Sequence, residues 1–441
     1  MTALVWLRQD LRLDDQPAIA AAAAAGPFAA LYVLDDDTPG DWAIGGAQRW
    51  WLHHSLVALG AELERRGGTL LLRRGRSAAV VAEVAEAIDA DAIHATRHFE
   101  PWWQAAEAAL GDRLTLHAGD TLVPLDRLRT AAGKPFRIFG PFYRALAACE
   151  VAEPVAAPER FVRPTSPPPS DPLEEWCLLP TRPNWATGFA VWTPGEAGAG
   201  AHLDRFVEEV ASYAERRDLP SEVGTSSLSP HLHFGEVSPR RVWHRLAGVE
   251  AAKFRKELAW RDFARGAVLA DPGIGERDQR QSRVRLRCGP SAEADFRAWT
   301  RGRTGYPIVD AGMRQLWATG WMHNRVRMIA ASFLVKHLLL DWRRGARWFW
   351  DTLVDADYAN NSLNWQWIAG TGTDSQPFFR IMAPLTQSRK FGAANYIRRW
   401  VPELAGLDDA AIHEAVGAQG YPEPLIGHRA ARERALAAAR G

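Results

Sequence analysis

The chain has 441 residues, of which 47% are hydrophobic and 24% charged, and its formal net charge is +1. This composition is typical of globular proteins, and the length predicts two domains because single cores stop growing at about 250–300 residues. No apolar run reaches the roughly 18 residues of a membrane-spanning helix. The alanine-rich stretch at 18–25 is too short for a signal peptide, and acidic residues precede it.

Three cysteines, Cys149, Cys177 and Cys288, are scattered without pair spacing. This pattern implies neither a disulfide framework nor a zinc site. We therefore expect an intracellular, cytoplasmic monomer that holds no metal and contacts no membrane.

Short apolar runs alternate with amphipathic stretches over the first 120 residues. Five runs predict buried strands, at 3–7, 28–34, 69–72, 91–96 and 113–116. Three stretches predict helices, at 48–66, 77–88 and 102–110. This alternation predicts a doubly wound parallel sheet, an α/β fold. No G-x-G-x-x-G follows the first strand, so the usual dinucleotide fingerprint is absent. Ligands of such sheets bind beyond the carboxyl ends of the strands, where Arg8, Asp10, Arg12 and the acidic run 35–37 lie.

The amino-acid composition of the sequence changes after these first 120 residues. Prolines cluster at 163–172, and 184–200 is rich in glycine and tryptophan, which predicts a long ordered connection. Helical patterns follow at 202–215, 239–246, 253–269, 292–301, 308–319, 325–340 and 345–353. We predict an α/β domain at 1–123, a linker at 124–200 and an all-helical domain at 201–441.

Basic residues and tryptophans are unevenly distributed. Between Lys253 and Arg303, 13 basic residues face 7 acidic ones, an excess that suits a phosphate backbone but is equally consistent with a solvated surface. Nine of the 20 tryptophans lie between Trp299 and Trp400. So many indoles are consistent with core packing, with stacking on flat ligands or with electron transfer between rings.

Two motifs carry polar groups suited to a nucleotide. GTSSLSP at 224–230 places four hydroxyl side chains in a turn before a helical stretch, which suits a diphosphate but also an ordinary helix cap. FRKELAWRDF at 254–263 puts Glu257, Trp260 and Arg261 on one helical face. These three could line a pocket that stacks a base, or form an ion pair beside a core indole.

Two later motifs are rich in amides. GWMHNRVRM at 320–328 sets Asn324 and Met328 one helical turn apart, and we expect a buried Asn324 amide that needs a polar partner such as a pyrimidine or flavin edge. DADYANNSLNWQW at 355–367 fits no ordinary helix or strand pattern, so we expect a loop folded around a polar heterocycle. It lacks the ligands of a calcium loop.

These segments, in this order and spacing, resemble the cryptochrome/photolyase family. The similarity runs from VWLRQDLRLDD at 5–15 to FGAANYIRRWVPEL at 391–404. GTSSLSP, ELAWRDF, GYPIVDAGMRQL, TGWMHNR and NWQWIAGTGTD occur together. The resemblance implies an antenna domain, a linker and a helical FAD-binding domain. It also implies light-driven repair of cyclobutane pyrimidine dimers in ultraviolet-damaged DNA, a carbon–carbon lyase reaction in the bacterial cytoplasm.

The resemblance assigns FAD contacts to a set of polar and backbone positions: Tyr213, Thr225, Ser226, Ser227, Leu228, Ser229, Arg261, Arg327, Asp355, Asp357 and Asn361. Asn361 would face flavin N5, where an amide supplies no carboxylic proton. The expected working form is therefore reduced, anionic FADH⁻.

The resemblance assigns lesion and DNA contacts to Glu257, Trp260, Asn324, Arg325, Met328 and Trp367. The damaged pair would be flipped out of the duplex, as the general account of photolyases as base-flipping enzymes describes. Indoles would wall the pyrimidines, while Glu257 and Asn324 bond their edges. The pocket pattern His323-Asn324 followed by Met328 implies specificity for dimers over 6-4 photoproducts.

Photoreduction in the family runs through three tryptophans. Trp365 matches the flavin-proximal one and Trp342 the middle one, but the distal position is Leu286. Substitutes for the distal donor are Trp299, Trp317, Trp348 and Trp350.

The antenna pigment is open as well. Trp102 and Trp103 stand where folate-binding relatives carry Asn and Glu, and these indoles either stack on a pigment or block it. Methenyltetrahydrofolate, a deazaflavin, another flavin and no pigment are the alternatives.

A cryptochrome-type blue-light photoreceptor is the alternative function. The dimer pocket and the lack of a long extension after Arg440 argue against it. A module that merely stores flavin is a third reading, in which the pocket residues would be incidental.

Overall fold

The computed structural model describes residues 2–282, 284–375, 381–415 and 417–440, which form two compact units. Unit 1 comprises Met1–Trp185, Ala190–Ala211 and Ser226–Pro272. Unit 2 comprises Ala186–Phe189, Ser212–Thr225 and Gly273–Gly441. None of the described helices is both long and apolar enough to cross a membrane.

Unit 1 contains a five-stranded parallel sheet in the order β3-β2-β1-β4-β5. Its strands are β1 Ala3–Leu7, β2 Phe28–Leu34, β3 Leu70–Arg74, β4 Ala92–Thr96 and β5 Leu114–His117. β1 lies at the centre and is buried along its whole length, as expected of a strand covered on both faces. The predicted parallel sheet is confirmed, with strand ends that differ by at most two residues.

The described part of the chain forms ten α-helices before Pro272, where unit 1 ends. They are α1 Pro17–Ala25, α2 Gly46–Arg65, α3 Ser77–Ala87, α4 Pro101–Leu110, α5 Phe139–Ala147, α6 Glu196–Glu209, α7 Tyr213–Arg216, α8 Ser229–His233, α9 Pro239–Arg245 and α10 Ala252–Ala270. Of these, α7 belongs to unit 2. Sequence reasoning missed α1, although alanine is the strongest helix former and Pro17 suits a first turn. The segment predicted as a linker holds α5, the start of α6, a short part of unit 2 and 3₁₀ turns such as Leu173–Trp176.

Unit 2 is otherwise helical. Its remaining helices are α11 Pro290–Thr300, α12 Pro307–Thr319, α13 Asn324–Ser332, α14 Trp342–Thr352, α15 Tyr358–Ala369, α16 Pro384–Lys390, α17 Ala394–Trp400 and α18 His428–Arg440. A π-helical turn, Phe333–His337, follows α13 directly, so the long helix predicted at 325–340 changes geometry midway.

The loop predicted for DADYANNSLNWQW is wrong from Tyr358 onward, because this segment forms α15. Asp357 caps the helix by accepting a hydrogen bond from the backbone N–H of Asn360 at 2.7 Å. Asp357 therefore marks the start of the helix. The asparagine side chains of this segment donate hydrogen bonds either to groups outside the α15 backbone or to a carbonyl one helical turn earlier. The acidic and amide residues that looked like turn formers are thus a cap and a first helical turn.

Candidate cofactor and substrate site

A half-buried ion pair joins α13 to the segment before α15. Arg327 Nη2 donates to Asp355 Oδ2 at 2.8 Å, and Arg327 Nε donates to the carbonyl of Met322 at 2.7 Å. Asp355 Oδ1 is buried and has no hydrogen-bond partner in the part of the chain that the structure describes. An unsatisfied buried carboxylate oxygen is costly, so this oxygen suits a ligand that brings its own donor.

One turn into α15, Asn361 holds its amide in a fixed orientation. Its Nδ2 donates to the carbonyl of Ala346 on α14 at 3.0 Å, and the side chain is 9% exposed. This bond uses one of the two amide N–H groups, and the amide oxygen is an acceptor for a ligand. The site therefore offers an acceptor that cannot release a proton.

The indoles assigned to photoreduction are buried in α14 and α15. Trp365 lies directly against Gly345, where any side chain would collide with its ring. Trp342 donates from Nε1 to Asp278 Oδ1 at 2.8 Å. Both are less than 5% exposed.

The substitutes for a distal donor differ in their access to solvent. Leu286 itself is on the surface. Trp299 and Trp350 are buried, whereas Trp317 is 51% exposed and stacks on Trp348 with a centroid separation of 6.1 Å. Of these indoles, Trp317 combines an exposed ring with a stacked neighbour.

The start of α13 corrects one expectation. Asn324 is exposed on the first helical turn and not buried among apolar residues. The buried position is that of His323, which caps the helix by accepting from the Arg325 backbone N–H at 3.2 Å. Burial lowers the pKa of His323 to about 4, so it is neutral at physiological pH.

The other lesion residues of unit 2 are partly exposed. Arg325 pairs with Asp218 at 2.8 Å and lies over the ring of Phe391, and its guanidinium is 3.7 Å from the sulfur of Met328. Met328 and Trp367 are both half-buried. Each of these side chains therefore has part of its surface exposed to solvent.

GTSSLSP forms a turn that crosses from one unit to the other along the chain. In unit 2, Tyr213 is buried, and Gly224 approaches the Arg216 carbonyl so closely that a side chain would not fit. In unit 1, Ser226 Oγ accepts from the Leu228 backbone N–H at 3.3 Å. Ser227 has a positive φ of 54°, a strained value for a serine, and Ser229 begins α8.

The three predicted residues of α10 lie on one helix, but their environments differ. Glu257 is 3.7 Å from Lys253, and the ring of Trp260 stacks on Phe139 at 3.8 Å with a 7° interplanar angle. Arg261 is buried, and its guanidinium donates to Asp120. Arg265 donates to the same carboxylate. The structure thus keeps Glu257 and Trp260 accessible and commits Arg261 to an internal ion cluster.

Sequence reasoning missed Phe139, Asp120 and Arg265. Asp120 and Arg261 are 141 residues apart, and no motif links them. Phe139 lies in the predicted linker, where nothing in the pattern indicates a stacking partner for an indole.

Comparisons with known proteins agree with these motifs. Residues 3–159 match the DNA photolyase family, and residues 254–441 match the FAD binding domain of DNA photolyase. A deoxyribodipyrimidine photo-lyase of Agrobacterium fabrum (strain C58) is 44% identical over 99% of this chain and 97% of that protein. The chain belongs to the DNA photolyase family. It is a photolyase enzyme with FAD as its cofactor.

Two further comparisons refine this assignment. A class III photolyase from Agrobacterium tumefaciens has a crystal structure that matches with a TM-score of 0.93 and 44% identity, covering 99% of this chain and 96% of that one. Cryptochrome-1 of Arabidopsis thaliana is 35% identical over 98% of this chain but over only 69% of its own length. The family resemblance and the two-part α/β and helical fold are confirmed.

The residues of unit 2 fit a bound flavin. The unpartnered Asp355 oxygen and the Asn361 oxygen are buried acceptors, and the heterocycle and ribose of FAD carry N–H and O–H donors. Among the described residues, no group of three or more His, Cys, Asp or Glu side chains is arranged to hold a metal ion.

Proposed function

We propose that this photolyase repairs cyclobutane pyrimidine dimers in DNA. The observation that carries the proposal is that cofactor-assigned and lesion-assigned residues differ in how deeply they are buried. Of the cofactor-assigned residues, Asp355, Asp357 and Asn361 are buried, whereas the lesion-assigned Glu257, Trp260, Asn324, Met328 and Trp367 all keep exposed surface. A tightly held cofactor and an accessible platform for an extruded base are what such a reaction requires.

The cofactor roles follow the chemistry of each group. The hydroxyls and backbone N–H groups at 225–229, with Tyr213 nearby in the chain, would hold the diphosphate, and Leu228 would add its backbone N–H. Arg327, Asp355 and Asp357 would hold the ring, ribose or adenine. When bound and excited by light, reduced FAD supplies an electron to the lesion.

Asn361 is the residue through which the chain would control the cofactor's protonation. Its bond to the Ala346 carbonyl orients the amide, and its oxygen could accept from the N5–H of a reduced flavin. It carries no acidic proton to give. We therefore propose FADH⁻ as the working form.

Arg261 is assigned to the cofactor but already bonds to other groups of the protein. Its guanidinium donates to Asp120 and to the carbonyl of Leu232. If it also contacts FAD, it does so with the donors that remain.

The lesion roles use the accessible residues. Trp260 and Trp367 would each supply an indole against a pyrimidine, and Phe139 covers one face of the Trp260 ring, which leaves the other face for a base. Glu257 and Asn324 would bond the base edges, Met328 would pack on the ring edge, and Arg325 would attract the phosphate backbone. Flipping costs a few kcal/mol and less for a damaged pair.

For photoreduction we propose that Trp365 and Trp342 relay electrons inward and that Trp317 supplies them from the surface. Trp317 is exposed and stacked on Trp348, whereas Leu286 has no redox-active ring.

The domain roles complete the proposal. We assign residues 1–123 to an antenna domain, with methenyltetrahydrofolate or a deazaflavin as the pigment, 124–200 to a linker and 201–441 to FAD and DNA binding. We place the enzyme in the bacterial cytoplasm, where it would associate with DNA. We propose that it acts as a monomer.

Repair of a thymine-dimer oligonucleotide under blue light tests the proposal. Enzyme fully loaded with FADH⁻ should restore the absorbance at 260 nm that the dimer had removed, and a dark sample is the control. No recovery under light would favour a cryptochrome-type photoreceptor, which the likeness to cryptochrome-1 makes the second candidate.

A further inference from the structure

The loop between α12 and α13 carries groups of both proposed sites. The carbonyl of Met322 accepts a hydrogen bond from Arg327, and His323 caps α13, whose first residue is the lesion-assigned Asn324. Met322 and His323 are buried, whereas Asn324 is exposed. Because Asn324 begins the helix at the surface, its place depends on how the loop before it is held.

Gln315 of α12 holds this loop at His323. Its Oε1 accepts the backbone N–H of His323 at 3.2 Å and the hydroxyl of Tyr396, on α17, at 2.6 Å. A backbone N–H can only donate, so the oxygen of the Gln315 amide must face it. Because this oxygen can only accept, the Tyr396 hydroxyl is the second donor. Gln315 therefore joins α17 to the residue that precedes Asn324.

Tyr396 is suited to act as a permanent donor to Gln315. Its side chain is 3% exposed, and burial raises the pKa of its hydroxyl well above the ordinary value of 10.0, so the hydroxyl keeps its proton at physiological pH. The backbone N–H of Tyr396 donates to Ser221 Oγ at 3.1 Å, and this hydroxyl donates to the Gly392 carbonyl at 2.7 Å. These bonds fix the start of α17, which carries the tyrosine.

Other hydrogen bonds hold the beginning of the loop. Thr319 Oγ1 donates to the Gln315 carbonyl at 2.9 Å and accepts from the Trp321 backbone N–H at 3.3 Å. The backbone N–H of Val354 donates to the Gly320 carbonyl at 2.8 Å. These bonds fix the end of the loop that leaves α12, and the Gln315 oxygen fixes the end that leads into α13.

We propose that Gln315, oriented by Tyr396, is a positioning residue for lesion recognition, because it sets the place of the Asn324 amide against the base edge. The inference rests on the proposed function, in which Asn324 contacts the dimer. Gln315 and Tyr396 act through the loop backbone and not through contact with the base. A buried N–H that loses its acceptor is costly, so without the Gln315 oxygen the loop shifts toward another acceptor, and Asn324 moves with it.

Dark binding of oligonucleotides to FAD-loaded enzyme tests the proposal. Gln315→Leu removes the acceptor at similar size, so the affinity for a thymine-dimer oligonucleotide should fall about tenfold, while that for the undamaged strand of the same sequence should not change. Tyr396→Phe keeps the acceptor but removes its orienting donor, and a loss of about threefold is expected. Gln315→Glu keeps acceptor oxygens and should restore dimer affinity to near that of the parent protein. Under continuous light, KM should rise in parallel with the loss of affinity while kcat stays near the parent value.

Two further variants control for a general structural effect and test the route through Asn324. The Tyr306 hydroxyl also donates within unit 2, to the Ile426 carbonyl at 2.7 Å, but its partner lies outside this loop. Tyr306→Phe should therefore leave both affinities unchanged. Adding Gln315→Leu to Asn324→Ala should cost little beyond Asn324→Ala alone, because both changes remove the same contact with the base.

The outcomes separate this inference from the proposed function. If the parent enzyme binds the dimer no better than the undamaged strand, the proposed function fails and this inference fails with it. If the parent discriminates and FAD-loaded Gln315→Leu and Tyr396→Phe discriminate equally well, only the positioning role is wrong. Losses that multiply in the double variant would also overturn it, since Gln315 would then act independently of Asn324. Should Gln315→Leu not retain FAD, the milder Tyr396→Phe decides the test.

Discussion

Two buried carboxylates in the two units contrast in how their oxygens are satisfied. Asp120 in unit 1 accepts hydrogen bonds on both oxygens, from Arg261 and Arg265. Asp355 in unit 2 accepts from Arg327 on one oxygen, and the other has no partner among the described residues. Both carboxylates are less than 10% exposed, so burial alone does not distinguish them.

The difference indicates different roles. Burial alone raises the pKa of Asp120, but Arg261 and Arg265 more than offset this and hold it well below its usual range. A saturated cluster of this kind fixes the geometry of its segments. A carboxylate with an open oxygen is instead prepared for a ligand. We therefore expect Asp120 to act in folding and Asp355 in cofactor binding.

The largest effect should come from breaking the saturated cluster. Asp120→Asn leaves two buried arginines without a counter-charge, which typically costs about 3–5 kcal/mol in the free energy of unfolding. Urea denaturation monitored by tryptophan fluorescence measures this cost. Asp126→Asn, at an exposed carboxylate of the same segment, is the control and should change the free energy little. If the unfolding free energy of Asp120→Asn equals that of the parent protein, Asp120 does not have the structural role assigned to it.

A pH dependence in unit 2 should be nearly as large. Burial lowers the pKa of His323 to about 4, from an ordinary value near 6.5, so the unfolded chain binds a proton between these values and the folded chain does not. Its contribution to stability is present above pH 6.5 and is lost as the pH falls toward 4. The loss is on the order of 3 kcal/mol.

His323→Asn tests this contribution because asparagine keeps a capping group without a titrating proton. Unfolding free energies at pH 7.5 and 5 should differ less in the variant than in the parent protein. An identical pH dependence in both proteins would show that folding does not lower the pKa of His323.

Removing the open carboxylate should mainly affect the cofactor. Asp355→Asn keeps an oxygen for Arg327 but removes the charge, and a hydrogen bond to a charged group contributes about 1.5–3 kcal/mol. FAD affinity should fall about tenfold or more, with a smaller loss of unfolding free energy than in Asp120→Asn. The ratio of flavin to protein absorbance after dialysis measures retention. Full retention of FAD by the variant would show that Asp355 does not act in cofactor binding and so does not differ from Asp120 in this way.

The indole beside Gly345 should separate photoreduction from repair. Trp365→Phe keeps the packing but removes the redox-active ring, so photoreduction should slow by roughly tenfold. Repair by chemically reduced enzyme should stay near the parent rate. Trp317→Phe should slow photoreduction as well if the exposed pair supplies electrons. Loss of repair in chemically reduced Trp365→Phe would contradict the assigned relay role.

The smallest effect is expected at the accessible face of α10. Glu257→Ala should weaken repair about three- to tenfold without loss of flavin, since solvent partly screens this carboxylate. Lys253 is its i,i+4 neighbour, and Lys253→Ala is the matched control because it removes the ion pair and leaves the carboxylate in place. If Glu257→Ala releases flavin, its role is in the cofactor site.

The sequence alone determined the architecture and the order of the motifs. Strands such as β1 and β2 are continuous apolar runs bounded by polar turns, and their ends were predicted correctly because local periodicity reports burial. The family resemblance followed from motifs that are contiguous in the chain. Information of this kind is local, so it is readable without coordinates.

Only the tertiary structure decided which polar groups are satisfied. Asn324 was expected to be buried and is exposed, and 355–367 was expected to be a loop although α15 begins at Tyr358. The partners of Asp120 and the open oxygen of Asp355 depend on residues far apart in the chain. Hydrogen bonds between such residues form when the elements pack, and no local pattern records them.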